Sequence, residues 1–379
     1  MGKATIKVRK IQTLPDLITK YGFTKNQIIW LRAASVRTEA DLYSFLVTSP
    51  ELGQTGTFDV PGLTAQLAPK KTISTMLSSA AKFQAQGHEA YGALAPKGAP
   101  FQIGEKVPAF SAEERNRLSN LETATKQLAA AVPDFGCGPW PVRNQGARGT
   151  CVSFATIALY EHYLCRTTGS LPALSQQFLY CALKPHRLDS YPGQDGTWFK
   201  YILPVLTKYG TCKETTWPYV SAELPDVSHN PPPADAVAAA VKLAFAKTKS
   251  QMFTKTSGKA KVLLSKLRQH GAVGVALPVF QHPTRPNQHN WNTPAALSYG
   301  AVQDPLPGWY VDGGHAVCVV GFAPDDQEPN GGYFIIRNSW GSLFGSRLPD
   351  PSYAGPAAGY GQISATHMDK YLWELCVFG

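Results

Sequence analysis

What the 379-residue sequence lacks narrows the field first. No apolar stretch approaches the roughly 18 uninterrupted residues that a spanning helix needs. The longest, Ala236 to Ala246, is already broken by Lys242. Met1 to Lys10 alternates charge with single apolar residues, has no apolar signal core, and carries Ile6 where a myristoylation signal needs Ser or Thr. The expectation is a protein without a membrane span, cytoplasmic unless exported by a signal-independent route. Seven scattered cysteines are too few for a disulfide scaffold, and their odd number leaves at least one thiol unpaired. None sit at CxxC spacing, which argues against a zinc site. There is no Lys/Arg run and no internal repeat. A net charge of +10 raises the question of nucleic acid, with 16 Lys+Arg against 10 Asp+Glu in residues 1–130 and 20 against 16 in the rest. No aromatic-rich basic strand accompanies that excess, so it is read as surface solvation, with nucleic acid an unlikely partner.

What is present falls into two textures. Residues 1–86 read as a small helical region, 87–131 as a linker followed by a helix, and 132–379 as a separate domain. Thr24 and Thr38 look like helix N-caps, each followed by an apolar stripe: Ile28, Ile29 and Leu31 after the first, Leu42, Phe45 and Leu46 after the second. A further helix is expected from Lys70 to Phe83. Gly87 to Pro108 is rich in Gly, Ala and Pro, the composition of a linker, and Ser111 with Glu114 forms a capping box opening a helix to about Ala130. From Val132 the segments shorten. Cys151 to Arg166 is apolar on nearly all sides, as a buried helix is. Helices are also expected over Asp195 to Tyr209 and Ala234 to Ala246. Strands are expected at Val273 to Val279, His315 to Phe322, Tyr333 to Arg337 and Leu372 to Phe378.

The chemistry gathers at three places. Cys151 closes a Gly-punctuated loop and starts the buried helix, where free amides and the positive end of the helix dipole favour thiolate over thiol. A thiolate nucleophile wants a base. Of the nine histidines, His162 lies eleven residues along the same helix, about 16 Å away at 1.5 Å per residue, and cannot reach it. His186, His282 and His289 sit in Pro- and polar-rich loops and read as solvated. His315 heads an apolar strand behind two glycines, which permit close approach of another chain. If that strand and the next form a hairpin with Phe322 facing Tyr333, His315 neighbours Asn338 to Trp340. Asn338 can then fix the imidazole's direction and Trp340 can shield the bond from water. Gln145, six residues before the thiol, can join the Cys151 amide in an oxyanion hole.

Gln145 to Ala155, Gly314 to Gly321 and Asn338 to Gly341, in that order, resemble the papain-like cysteine peptidases. So do Leu174 to Cys181, Trp217-Pro218-Tyr219, Gly271 to Val275 and Gly359 to Ile363, so that the resemblance covers residues 132 to 379. It implies an α+β, papain-like two-lobe fold. A helical lobe (132–230) carries Cys151, a β-barrel-like lobe (231–379) carries His315 and Asn338, and the cleft between them is the site. It implies an endopeptidase acting on protein or peptide substrates through a Cys151 thioester, with His315 as general acid/base, Asn338 as orienter and Gln145 as oxyanion donor, and with no metal or organic cofactor. Substrate-binding roles pass to Gly196, Thr197, Ala276, Gly314, Ala316 and Trp340, the two alanines leaving room for a bulky apolar side chain. By the same analogy Cys181 and Cys212 lie near enough to pair.

The departures from the family pattern are specific. Arg148 stands where a cysteine is usual, Val152 replaces a Trp beside the nucleophile, Gly314 replaces an Asp or Asn, and a Gly-Gly pair becomes Gly196-Thr197. The long segment Gln281 to Asp312 is either a flap over the cleft or a surface loop. Residues 1–131 lack the usual pattern of the family's propeptide. They are read as a zymogen segment threading the linker near the cleft, or as a targeting or partner-binding module. The competing readings of the whole are a catalytically silent scaffold and a Cys/His acyl transferase.

Overall fold

A computed structural model describes residues 14–34, 36, 42, 45–46, 91–120, 136–137, 140–184, 188–189, 195–221, 230–241, 248–254, 257–325, 328–345 and 358–379. The helix expected at Lys70 to Phe83, the Thr38 cap and His186 lie outside these residues.

The N-terminal capping signals form as the sequence dictates. Helix α1 covers Leu14–Tyr21 and α2 covers Lys25–Ala33. Gln27 N–H donates to Thr24 Oγ1 at 3.3 Å and Thr24 N–H donates to Gln27 Oε1 at 2.7 Å, a closed capping box. Ser111 caps α3, Ala112–Asn120, through Glu114 N–H at 3.0 Å. Helices α2 and α3 dock through Arg32, which donates to the Leu118 carbonyl at 2.8 Å, and through Trp30 on Phe110 at 5.0 Å between ring centroids. The apolar stripe of this region does not close on itself. Leu17, Leu31, Leu42 and Phe45 join the same apolar core as the β-rich lobe.

The helical lobe is built on α4, Cys151–Thr168, with α5, Gln176–Leu183, and α6, Phe199–Tyr209, packed against it. Helix α6 starts four residues later than expected because the chain turns at Gly196, φ 90°, and Thr197 is held by backbone contacts described below. Helix α7 is only Ala234–Ala239: Ala240 is already extended, at φ −69° and ψ 126°, and Val241 pairs with Thr211. Propensity alone carried that expectation onward, and at Ala240 and Val241 tertiary pairing overrides it; the remainder, to Ala246, lies outside the described residues.

The second lobe is a sheet, all antiparallel among the described residues, in the order β1-β6-β2-β3-β4-β5. Its strands are β1 Thr248–Met252, β2 Val273–Gln281, β3 Tyr310–Pro324, β4 Gly332–Arg337, β5 Tyr360–Ser364 and β6 Glu374–Phe378. Helix α8, Lys259–His270, precedes β2; α9, Pro294–Tyr299, lies between β2 and β3; α10, Ala365–Tyr371, links β5 to β6. One sheet face carries Val275, Leu277, Val317, Val319 and Ile336 into the β-lobe core. The other carries Ala276, Ala316, Cys318 and Ile335 onto α4 and the helical lobe. The expected hairpin forms with a one-residue difference: Phe322 faces Phe334 and Ala323 faces Tyr333, with a bulge between Val319 and Gly321.

Four expectations are corrected. The disulfide joins Cys137 to Cys165, with Cα atoms 6.0 Å apart, while Cys181 and Cys212 are free. Cys181 faces Gln177, whose Nε2 donates to its sulfur at 3.2 Å. A disulfide persists in oxidising surroundings, which leaves the cytoplasmic expectation without support. The segment between β2 and β3 is not a decorative surface loop: Trp291 and Trp309 are buried in the core and Phe280 N–H donates to Asn290 Oδ1 at 2.9 Å. His282 and His289, read as solvated from their polar neighbours, are buried with it. Polar side chains there satisfy the segment's own backbone, so polarity does not mean exposure. No described helix is long and apolar enough to cross a membrane.

Candidate active site

Cys151 is the first residue of α4 and is fully buried. The loop before it is tied to the other lobe: Gln145 N–H donates to the Ser339 carbonyl at 2.8 Å, Ser339 Oγ donates to Gln145 Oε1 at 2.6 Å, and Gly341 N–H donates to the Arg143 carbonyl at 2.8 Å. Below, the buried Glu161 of α4 meets Arg143 at 2.5 Å and Arg337 of β4 at 3.4 Å, locking helix to sheet. Gln145 Nε2 donates to the Arg148 carbonyl at 2.8 Å, which fixes the side-chain amide beside the start of the helix.

His315 and Asn338 come together as expected. The imidazole Nε2 lies 2.7 Å from Asn338 Oδ1, which also accepts Ser339 N–H at 2.8 Å. Oδ1 is therefore the acceptor and Nε2 carries the proton, so the neutral ring keeps its lone pair on Nδ1. Nδ1 is buried and has no partner among the described residues. Trp340 covers the ring at 4.5 Å and Trp291 stands edge-on at 5.0 Å.

The electrostatics differ from the sequence expectation of a ready thiolate. Burial pushes the Cys151 thiol up to about 11, and the Asp195 charge adds to this, against the backbone amides of Ala316, Gly92 and Val152. Burial likewise lowers His315 to about 4, partly offset by the Asn338 bond. In this arrangement desolvation outweighs the helix dipole, and both groups are neutral through the middle of the pH range.

The desolvation comes from the chain itself. Residues 91–94, inside the supposed linker, lie across the cleft. Thr197 N–H donates to the Gly92 carbonyl at 2.8 Å, Leu94 N–H to the Thr197 carbonyl at 3.3 Å, and Ala93 N–H to the Gly314 carbonyl at 2.9 Å. Ala93 packs in one apolar cluster with Ala276 and Ala316. Five of the residues expected to bind substrate, Gly196, Thr197, Ala276, Gly314 and Ala316, thus line the surface on which 91–94 rests, and Trp340 flanks it over His315. The fit is tight: a Cβ on Gly92 would lie 1.8 Å from the Gly149 carbonyl oxygen, and one on Gly314 would lie 2.2 Å from the Ala93 oxygen.

Two supports brace the loop before Cys151, of which the first escaped sequence reasoning. Asp195 accepts Gly149 N–H at 2.8 Å and the Tyr180 hydroxyl at 2.7 Å, bracing the loop before Cys151 against the Gly196 turn. Its place just before Gly196-Thr197 was the available signal. Arg148 is buried. It donates to Gln177 Oε1 and to the Val220 carbonyl, each at 2.7 Å, and lies over the Tyr219 ring at 5.0 Å. It holds Tyr219, whose hydroxyl donates to the Gln145 carbonyl at 2.9 Å, and so braces by hydrogen bonds the loop a disulfide would otherwise hold.

The family model for papain family cysteine proteases matches residues 135–347, more than half of the chain. The chain belongs to the papain family of cysteine proteases. Among curated proteins it is 26% identical to cathepsin J of Rattus norvegicus over 69% of this chain and 74% of that one. It is also 26% identical to pro-cathepsin H of Bos taurus, over 55% of this chain and 54% of that one. A solved structure of xylellain, a cysteine protease from Xylella fastidiosa, aligns at 19% identity and a TM-score of 0.44 over 74% of this chain and 97% of that one.

Proposed function

We propose that the chain is a cysteine endopeptidase held latent by its own residues 91–94. The observation that carries this reading is the backbone pairing of 91–94 with Thr197 and Gly314 directly over Cys151. Gly92 meets the thiol with its amide N–H, and its carbonyl oxygen accepts from Thr197 N–H at 2.8 Å. The segment uses the surface expected for substrate but with the chain direction reversed, since Ala93, not Tyr91, lies at the alanine pocket expected to take a side chain before the scissile bond.

With 91–94 displaced, water returns to the cleft and the cause of both pKa displacements is lifted. The Nδ1 lone pair of His315 takes the thiol proton, and Cys151 attacks the peptide carbonyl to form a tetrahedral oxyanion. The Gln145 side-chain amide and the Cys151 N–H stabilise that charge, an effect of about 2.7–4 kcal/mol per donor in comparable sites. The imidazolium gives its proton to the leaving amine, and the thioester is hydrolysed by a water that His315 deprotonates. Asn338 keeps the ring aimed throughout.

Alkylation with iodoacetamide across pH tests the reading. In the full chain Cys151 is expected to react slowly until pH approaches 11, because occlusion favours the neutral thiol. In the Gly92→Val chain, whose added side chain cannot sit against Gly149, the reaction is expected to accelerate at pH values at least about 2 units lower. The sign follows from linkage: the occluded form binds the thiol proton more tightly, so raising pH through the released thiol's range favours release. Identical titration curves in the two chains would contradict the reading.

A further inference from the structure

His289 sits beside the proposed catalytic pair without belonging to it. The ring is fully buried, packs on Trp340 at 5.9 Å and on Tyr91 at 5.0 Å and 87°, and is electrostatically coupled to His315. Its anchoring defines its tautomer. Trp291 N–H donates to His289 Nδ1 at 3.2 Å, so the neutral ring carries its proton on Nε2. His289 N–H is held by Asn292 Oδ1 at 2.9 Å. Nε2 is buried and has no hydrogen-bond partner among the described residues. A buried donor left without an acceptor is costly, and the surrounding segment is built to hold this one in place.

The ring borders a particular part of the cleft, between Tyr91 and Trp340. A leaving amine must lie within reach of His315 to take its proton, and His289 flanks that histidine through the shared Trp340. In the occluded chain that position is filled by Tyr91, one residue before the glycine over the thiol and on the opposite side of it from Ala93 and the alanine-lined pocket. When 91–94 leaves, Tyr91 leaves with it.

We infer that His289 is a specificity-determining residue on the leaving-group side, donating from Nε2 to a carboxylate of the substrate. The inference rests on the peptidase reading above and deepens it. A carboxylate fits better than an amide because a bond to a charged acceptor is about twice as strong as one between neutral groups. That carboxylate has two sources: an Asp or Glu side chain just after the scissile bond, or the chain terminus of a short peptide.

The test uses the full chain opened by Gly92→Val. In one arm, paired fluorogenic peptides differ only in Glu or Gln after the scissile bond; in the other, both carry Ala there and end in a free carboxylate or an amide. The carboxylate member of one pair is expected to have a kcat/KM about 10- to 100-fold higher, and the arm in which this happens identifies the source. His289→Phe keeps a ring and removes the donor, and is expected to bring that ratio to about 1; His289→Gln, which restores an N–H, is expected to recover part of it. Equal ratios in the unsubstituted and His289→Phe chains in both arms would overturn the inference. Equilibrium binding of the product peptides, acidic against neutral, gives the same comparison without turnover and decides the matter should His289→Phe fail to fold. An acidic preference without cleavage would overturn the peptidase reading alone, and cleavage without preference would overturn this inference alone.

Discussion

Gly92→Val in the full-length chain is expected to raise peptide turnover by about 100-fold. The occluding strand is held near the thiol by the three backbone hydrogen bonds that join Gly92, Ala93 and Leu94 to Thr197 and Gly314. At about 0.5–1.5 kcal/mol each, their loss is on the order of 3 kcal/mol, or a hundredfold in the open population at 1.4 kcal/mol per tenfold. A Cβ at Gly92 falls 1.8 Å from the Gly149 oxygen, and Gly149 is pinned by Asp195, so the strand is the partner that yields. The check is initial turnover of a fluorogenic peptide beside a thermal melt. A folded Gly92→Val chain no more active than the parent would mean that 91–94 does not gate the cleft.

The second large effect separates the two residues behind the thiol. His315→Ala in the opened chain is expected to lower kcat by about 10⁴-fold, the upper range for a general acid/base, with KM little changed. Asn338→Ala is expected to cost about 10- to 100-fold, because the ring remains but loses the 2.7 Å bond that assigns its proton to Nε2. Steady-state kinetics on the two variants reads this directly. Equal losses at both positions would mean that Asn338 takes part in the chemistry instead of aiming the ring.

How much of this was legible in the sequence depends on the range of the forces involved. The α4 helix, the hairpin and the Thr24 and Ser111 caps rest on periodicity and local hydrogen bonds, and these appear where the residues place them. The meeting of His315 with Asn338 survives a one-residue difference in register because both lie at the same end of the paired strands. The occluding strand was legible only as a linker that threads near the cleft. Its glycine and alanine are there for closeness of approach, and composition cannot distinguish that from looseness. His289 was misread for a related reason, since Pro- and Asn-rich chain can be buried when its side chains bond its own backbone. The Cys137–Cys165 pairing depends on tertiary proximity that spacing does not encode. The thiol's state was misjudged because the helix dipole is visible in sequence and desolvation by a distant segment is not.

The central claim is that Cys151 performs peptide cleavage once residues 91–94 leave the cleft. It is tested most directly by turnover and mass analysis of the Gly92→Val chain beside the same chain carrying Cys151→Ala. The expected result is cleavage of the fluorogenic peptide by the first and none by the second, with the two chains melting alike. Undiminished cleavage in the Cys151→Ala chain, or none in either, would contradict the account.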